Sequence, residues 1–310
     1  MNRTLKPLDI AAQEAKVYLR EARTNPLLRA IPIPLDTIHR ALGGLRLGEL
    51  TFVGGYEGMG KSALVEQLAF SLAESFLEDE GQMRGVFYAS MEMRTRQLVN
   101  RAIVQRFGVN PFKVNNPDRL SEEELSIYET YYDEVSNLPV IFDDQPGNSI
   151  PDIRKQLERM KQDLIPRIVV IDYLQLLQNT DDVAGLDNTS QALKDIAGDY
   201  NCHVICISSL NRSDSNVPSN KNLRGSGGIA YNSDNTCFVH RPYVSDPYSN
   251  HLWSDYSIFR VGKAREGIVG DHYLLWNGDK VSFTDLTVAQ QREVQSLVQQ
   301  MKMNRNFSSF

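Results

Sequence analysis

The sequence is poor in the features that mark secreted, membrane-spanning and metal-held proteins. Its 310 residues include three cysteines, Cys202, Cys206 and Cys237. Their spacing matches no metal-ligand pattern, and Cys202 and Cys206 flank an apolar strand, so they read as reduced core residues. No apolar run reaches the ~18 residues of a membrane span. The opening Met1-Asn-Arg-Thr-Leu-Lys-Pro7 lacks the apolar stretch of a signal peptide. A cytoplasmic protein with no membrane partner is expected. No internal repeat is present. There is no excess of positive charge either: 33 Lys and Arg stand against 39 Asp and Glu, a net −6. That balance speaks against a protein coated by nucleic acid. It leaves room for a local basic channel, which needs only a few well-placed cations.

What is present is an ordinary globular composition, 41% hydrophobic and 23% charged, and an alternation of strands with helices. Residues 8–23 carry Ala, Val and Leu at helical spacing among charges and predict an amphipathic helix. Asn25-Pro26 and the Pro32/Pro34 pair then break the helix. This first helix either packs on its own domain or reaches to a neighbouring subunit. From Glu49 onward, short apolar runs at 50–54, 85–90, 138–142, 167–172 and 203–208 predict strands. Helices are expected at 61–78, 94–107, 121–137, 149–163 and 187–199, the third opening on a Ser121/Glu124 capping box. Such alternation implies a mostly parallel sheet covered on both faces. Near 236–240, 256–263, 271–276 and 280–283 the pattern changes to strands joined by short turns, Asn277-Gly278 among them, which predicts an antiparallel extension. A Gln-rich helix follows at 286–303, with Val288, Val294, Leu297 and Val298 on one side. Residues 212–228 read as a long, mobile, functional loop.

Four motifs carry chemistry. Gly55-x-x-x-x-Gly60-Lys61-Ser62 lies between a strand and a helix, the setting of a phosphate-binding loop. Its glycines let successive backbone N–H groups curl around phosphate, and the helix N-terminus adds positive charge. Gly55, Gly58, Met59, Gly60, Lys61, Ser62 and Ala63 are the expected nucleotide contacts, with Lys61 on the β- and γ-phosphates and Ser62 on Mg2+. Asp172 ends the apolar strand Ile168-Val-Val-Ile-Asp172, where it can hold the metal. Glu92, in Ala89-Ser-Met-Glu92-Met, closes the strand after the loop's helix. It either orients the attacking water or simply faces the dipole of the next helix. In Arg260-Val-Gly-Lys263-Ala-Arg265, Lys263 and Arg265 are two apart and point together. They form either an arginine-finger pair for a neighbour's nucleotide or a solvated basic edge.

In this order the motifs resemble the C-terminal motor domain of DnaB-type replicative helicases, RecA-like ring helicases of superfamily 4. Gly43-Gly-Leu-Arg-Leu-Gly-Glu-Leu50, Ser90-Met-Glu-Met93, Val170-Ile-Asp-Tyr-Leu-Gln-Leu176, Ser208-Ser-Leu-Asn-Arg212, Leu223-Arg-Gly-Ser-Gly227 and Gly262-Lys-Ala-Arg265 carry the likeness. It covers about residues 30–285. It implies a linker helix and arm at 1–30, a RecA-like ATPase motor at 31–285 and a helical tail at 286–310. It also implies roles: Lys61 and Ser62 on phosphate and Mg2+, Glu92 on the water, Asp172 on the metal. Lys263 and Arg265 would complete the site of the adjacent subunit in a ring, of six subunits by analogy, with the first helix docked in trans. Arg212, Arg224, Gly225 and Gly227 would hold single-stranded DNA, and a helicase loader or primase would be a partner. The resemblance implies ATP-driven 5′-to-3′ movement along DNA in replication.

The chain departs from the family in three places. Ser209 stands where a γ-phosphate-sensing Gln is usual, Gly225 and Ala230 stand where glutamates are usual, and the resemblance includes no N-terminal collar domain. These departures touch the coupling of hydrolysis to DNA movement, not ATP binding. They keep a second reading open, an ATP-binding assembly or loading factor with weak unwinding. A recombination ATPase fits less well, and a small-molecule kinase lacks its lid.

Overall fold

A computed structural model of the chain describes residues 6–25, 28–77, 83–211, 217–223, 226–248 and 251–307. Helix α1 (Leu8–Thr24) leads through an arm to α2 (Asp36–Leu42). The first stretch of the sheet domain follows as β1 (Leu50–Gly55), α3 (Lys61–Leu77), β2 (Arg84–Ser90), α4 (Thr95–Phe107), α5 (Pro111–Asn115), α6 (Glu122–Ser136), β3 (Val140–Asp143), α7 (Ile150–Met160), β4 (Ile165–Asp172), α8 (Val183–Asp199) and β5 (His203–Ser209). After it come α9 (Ser226–Asn232), β6 (Asn235–His240), α10 (Pro242–Ser245), β7 (Tyr256–Lys263), β8 (Gly270–Asn277), β9 (Ser282–Asp285) and α11 (Val288–Phe307).

The nine strands form one sheet in the order β3-β2-β4-β5-β1-β6-β7-β8-β9. The six from β3 to β6 run parallel. The last three add on antiparallel, as expected, but β6, which was expected to open that extension, pairs parallel with β1. Strand β4 shows why the centre is parallel. Its Ile168-Val-Val-Ile171 run is buried without alternation, because helices cover both faces. Ile168 and Val170 pack toward α2 and α3, whereas Val169 and Ile171 pack toward α7 and α8. The period of two divides each strand between two cores.

Local signals account for most helix starts. Ser121 and Glu124 cap α6 reciprocally, and Ser149 and Asp152 do the same for α7. Ile153, Leu157 and Met160 give α7 a single buried stripe. Helix α8 begins at Val183, four residues before the expected 187, because the Asp182 side chain accepts from Gly185 N and caps it. Helix α2 was not legible in the sequence. Its first N–H groups, on Asp36 and Thr37, donate to the carboxylate of Asp285 at 2.8 Å, a cap supplied by a remote strand. The Asn277-Gly278 turn is longer than two residues. Turn residues 278–281 separate β8 from β9, with Val281 at φ 51°, so β9 begins at Ser282 and not 280. Helix α9 begins inside the loop expected at 212–228.

The cysteines are all free and buried, as read from the sequence. Helix α1 buries none of its residues, and Leu8, Ile10, Val17 and Leu19 stay exposed. Helix α11 instead packs Val294 and Leu297 against Tyr256 and Ile258 of β7. Among the described residues no helix is long and apolar enough to cross a membrane.

Candidate nucleotide-binding site

Parallel strands all end on one edge of the sheet, and that edge holds the chemistry. The P-loop follows β1, Asp172 ends β4, Ser209 ends β5 and Glu92 follows β2 by two residues. Chain residues 55–63, Glu92, Asp172 and Ser209 line one open cleft of about 1170 Å³. Every nucleotide contact expected from the sequence is therefore in one place. Gly58 and Gly60 hold the loop's curl at φ 76° and 89°, a region that disfavours other residues. A Cβ on Gly60 would also come within 3.0 Å of the Phe283 ring, which packs the loop from the β9 side.

Lys61 opens α3, and its Nζ donates to Tyr56 O at 3.0 Å. Burial pushes its ammonium below the ordinary value, while Asp172, Glu92 and Glu57 pull it back up. The group is thus a cation held among acids, poised for phosphate. Asp172 is 1% exposed. Its Oδ1 accepts from Ser62 Oγ and its Oδ2 from Tyr88 OH, both at 3.2 Å. Burial raises its carboxyl above the usual range, against the pull of those two hydrogen bonds. A hydroxyl and a carboxylate this close make a hard-oxygen pair that suits Mg2+ carried in by a nucleotide. Among the described residues no cluster of three or more His, Cys, Asp or Glu could hold a metal unaided. A cation held by Ser62 and Asp172 would need phosphate and water to complete its coordination.

Three side chains of the cleft escaped the sequence reading. Arg241 lies directly after β6, and its guanidinium stacks 4.3 Å over the Trp276 ring of β8. Its Nε is buried without a hydrogen-bond partner in the structure. Both residues line the cleft, and together they give it a flat cationic wall. Arg101 enters the same cleft from α4. The position of Arg241 at a strand tip was the available signal. Trp276 and Arg101 had none, since their partners lie far away in sequence.

Ser209 reaches the cleft, but its short side chain does not span it. Gln175 braces this strand end: Ser209 N donates to Gln175 Oε1 at 3.1 Å, and Gln175 Nε2 donates to Ser208 Oγ at 3.0 Å.

Lys263 and Arg265 are not among the residues lining the cleft. They do point together. Lys263 Nζ donates to the carbonyls of Ala230 at 2.7 Å and Ser233 at 2.6 Å, around the C-terminal end of α9. Arg265 Nε pairs at 2.8 Å with Asp234, which is fully buried and also pairs with Lys194. Neither cation reaches its own P-loop. Gly227 lies on α9, and a Cβ there would meet open space. Arg212, Arg224 and Gly225 lie outside the described residues.

Comparison with known proteins agrees with this geometry. A sequence model of the DnaB-like helicase C terminal domain matches residues 30–285. A probable replicative DNA helicase of Trieres chinensis is 26% identical over 279 residues, covering 86% of this chain and 60% of the relative. The replicative DNA helicase DnaB of Geobacillus stearothermophilus is 27% identical over 270 residues, covering 84% of this chain and 57% of the relative. The chain thus spans about three-fifths of the length of these relatives. Among solved structures, one ATPase domain superposes with a TM-score of 0.79 at 23% identity, covering 92% of this chain and 100% of that one. A DnaB-like replicative helicase described with its primase interactions gives 0.77 at 23% identity, covering 92% of this chain and 68% of that one. These likenesses fix the fold as that of such ATPase domains.

Proposed function

The chain belongs to the DnaB-like helicase C-terminal domain family, and on that premise we propose that it is the ATP-hydrolysing motor of a ring helicase that moves along single-stranded DNA. The observation that carries this reading is the convergence of Lys61, Ser62, Asp172 and Glu92 on one cleft at the carboxyl edge of a parallel sheet. Lys61 and the loop amides take the β- and γ-phosphates. Ser62 and Asp172 would hold Mg2+, which would supply positive charge to offset that of the phosphates. Glu92 orients the attacking water. Arg241 and Trp276 offer the base a flat cationic surface.

The position of Lys263 and Arg265 supports a ring. Lys263 and Arg265 stand paired outside the subunit's own cleft. A neighbouring copy is the natural recipient of both, and the apolar side chains exposed on α1 are available to dock there. Six copies is the expected ring, in the cytoplasm. Arg212, Arg224, Gly225 and Gly227 are the proposed DNA contacts, by the likeness of Leu223-Arg-Gly-Ser-Gly227 to the family's DNA-binding loop. A primase is the proposed protein partner, by likeness to the neighbour described with one.

The test is steady-state ATPase activity with and without single-stranded DNA. Hydrolysis stimulated by DNA, weakened as salt rises, and lost in Lys61→Ala is expected. Hydrolysis indifferent to DNA at every salt concentration would contradict the motor reading.

A further inference from the structure

Behind the phosphate end of the cleft lies a carboxyl that the hydrolytic reading does not use. Glu66 stands one turn after Ser62 on α3, so the two project from the same face of the helix. It is completely buried. Neither of its oxygens has a hydrogen-bond partner in the structure. Its ion pair is with Arg101, whose Nη1 lies 3.3 Å from Oε2. Arg101 comes from α4 and lines the cleft, and its other terminal nitrogen rests on Met93 Sδ. A buried carboxyl without hydrogen bonds is a liability that an apolar side chain would remove. Its presence is explained by the cation it holds.

The hold is weak by construction. Burial pushes the Glu66 carboxyl up to about 8, with Arg101 pulling it down and the Asp172 charge adding to the rise. It holds Arg101 by a single 3.3 Å contact without a hydrogen bond. A terminal phosphate, with its full negative charge, is the stronger partner for a guanidinium. Arg101 also approaches from the β2 side of the cleft, opposite the β5 tip where Ser209 is too short to span.

We propose that Glu66 is a positioning residue: it holds the Arg101 guanidinium at the phosphate end of the cleft and releases it to the terminal phosphate of a bound nucleoside triphosphate. The proposal rests on the reading of the cleft as an ATP-hydrolysing site. It assigns Arg101 as a phosphate contact within the same subunit, distinct from Lys263 and Arg265 across the interface.

The test is steady-state ATPase of the full chain with Mg2+ and single-stranded DNA. The variants are Glu66→Leu, Glu66→Gln, Arg101→Ala and the Glu66→Leu/Arg101→Ala pair, with Lys61→Ala as control. Glu66→Leu is expected to lower kcat about tenfold with KM within about twofold, because a misplaced guanidinium loses orientation in the transition state. The same variant leaves Arg101 without its partner, so Tm is followed alongside to separate a misplaced guanidinium from a weakened fold. Glu66→Gln keeps an acceptor oxygen and should stay within about threefold of the wild-type kcat. The double variant should be no slower than Arg101→Ala alone. A Glu66→Leu kcat equal to wild type overturns the proposal, as does a double variant slowed by the product of the two single effects. If the Leu variant does not fold, Glu66→Met tests the same loss. A wild-type chain that hydrolyses no ATP, or a Lys61→Ala variant as fast as wild type, overturns the reading of the cleft itself.

Discussion

Two inactive variants should make an active ring. Lys61→Ala removes the cation of the P-loop and leaves the finger pair intact. Arg265→Ala does the reverse. In the subunit, Arg265 is paired with Asp234, and its side chain remains 64% exposed. Its partner Asp234 is fully buried, but that carboxylate keeps Lys194 at 2.6 Å when Arg265 leaves. A neighbour's triphosphate can therefore draw Arg265 away at small cost. An arginine finger is worth about 10³–10⁵ in kcat, so each variant alone should be nearly silent. Arg265→Ala should still bind nucleotide, because its own cleft is untouched. When the two are mixed 1:1, half of the P-loops are intact and half of the neighbouring fingers are intact. About a quarter of the interfaces then combine both, and ATPase should recover to about a quarter of the wild-type rate. The assay is steady-state hydrolysis across a series of mixing ratios, with subunit exchange verified by differently tagged copies. Absence of any recovery in rings shown to be mixed would refute catalysis across the interface.

Acid should weaken the fold through buried imidazoles. His203 is fully buried between Thr51 Oγ1 and Arg46 O, and burial lowers its pKa from 6.5 to about 4. The folded state therefore resists a proton that the unfolded chain accepts, and stability is lost as pH falls from 6.5 toward 4. At pH 5 the loss is about 2 kcal/mol from this group. Urea unfolding at pH 7.5 and pH 5 should show His203→Gln losing about that much less than wild type, and equal losses would exclude the group as a cause. Phe283→Ala removes a buried ring that packs on Gly60 and lies 4.8 Å from the Trp276 centroid. It should cost about 3–5 kcal/mol by denaturant unfolding, and nucleotide affinity should fall with it. A cost under about 1 kcal/mol would mean that the ring does not support the P-loop.

What could be read in advance was what is local. The P-loop, the apolar run ending in Asp172 and the capping box at Ser121 each occupy a few consecutive residues, and the alternation of strands with helices places the P-loop and Asp172 on one sheet edge. The unbroken apolar run of β4 correctly signalled a strand covered on both faces. What could not be read depends on contacts between remote segments. Helix α2 is capped by Asp285, 249 residues away from Asp36. The Arg241–Trp276 wall joins β6 to β8. Glu66 reads as a surface acid on an ordinary helix until α4 is seen to place Arg101 over it. The finger pair was half legible: spacing put Lys263 and Arg265 on one side, but only the fold shows that side facing α9 and Asp234 instead of the subunit's own phosphate loop.

Hydrolysis at this cleft is proposed to drive the chain along single-stranded DNA. Forked duplexes bearing a single-stranded 5′ or 3′ arm test it most directly, with strand separation and ATP consumption followed together. Forks with a 5′ loading arm should open in an ATP-dependent way, and opening should be abolished in both Lys61→Ala and Arg265→Ala. Forks that stay closed at high protein concentration, while ATP is consumed at the same rate with or without DNA, would contradict it.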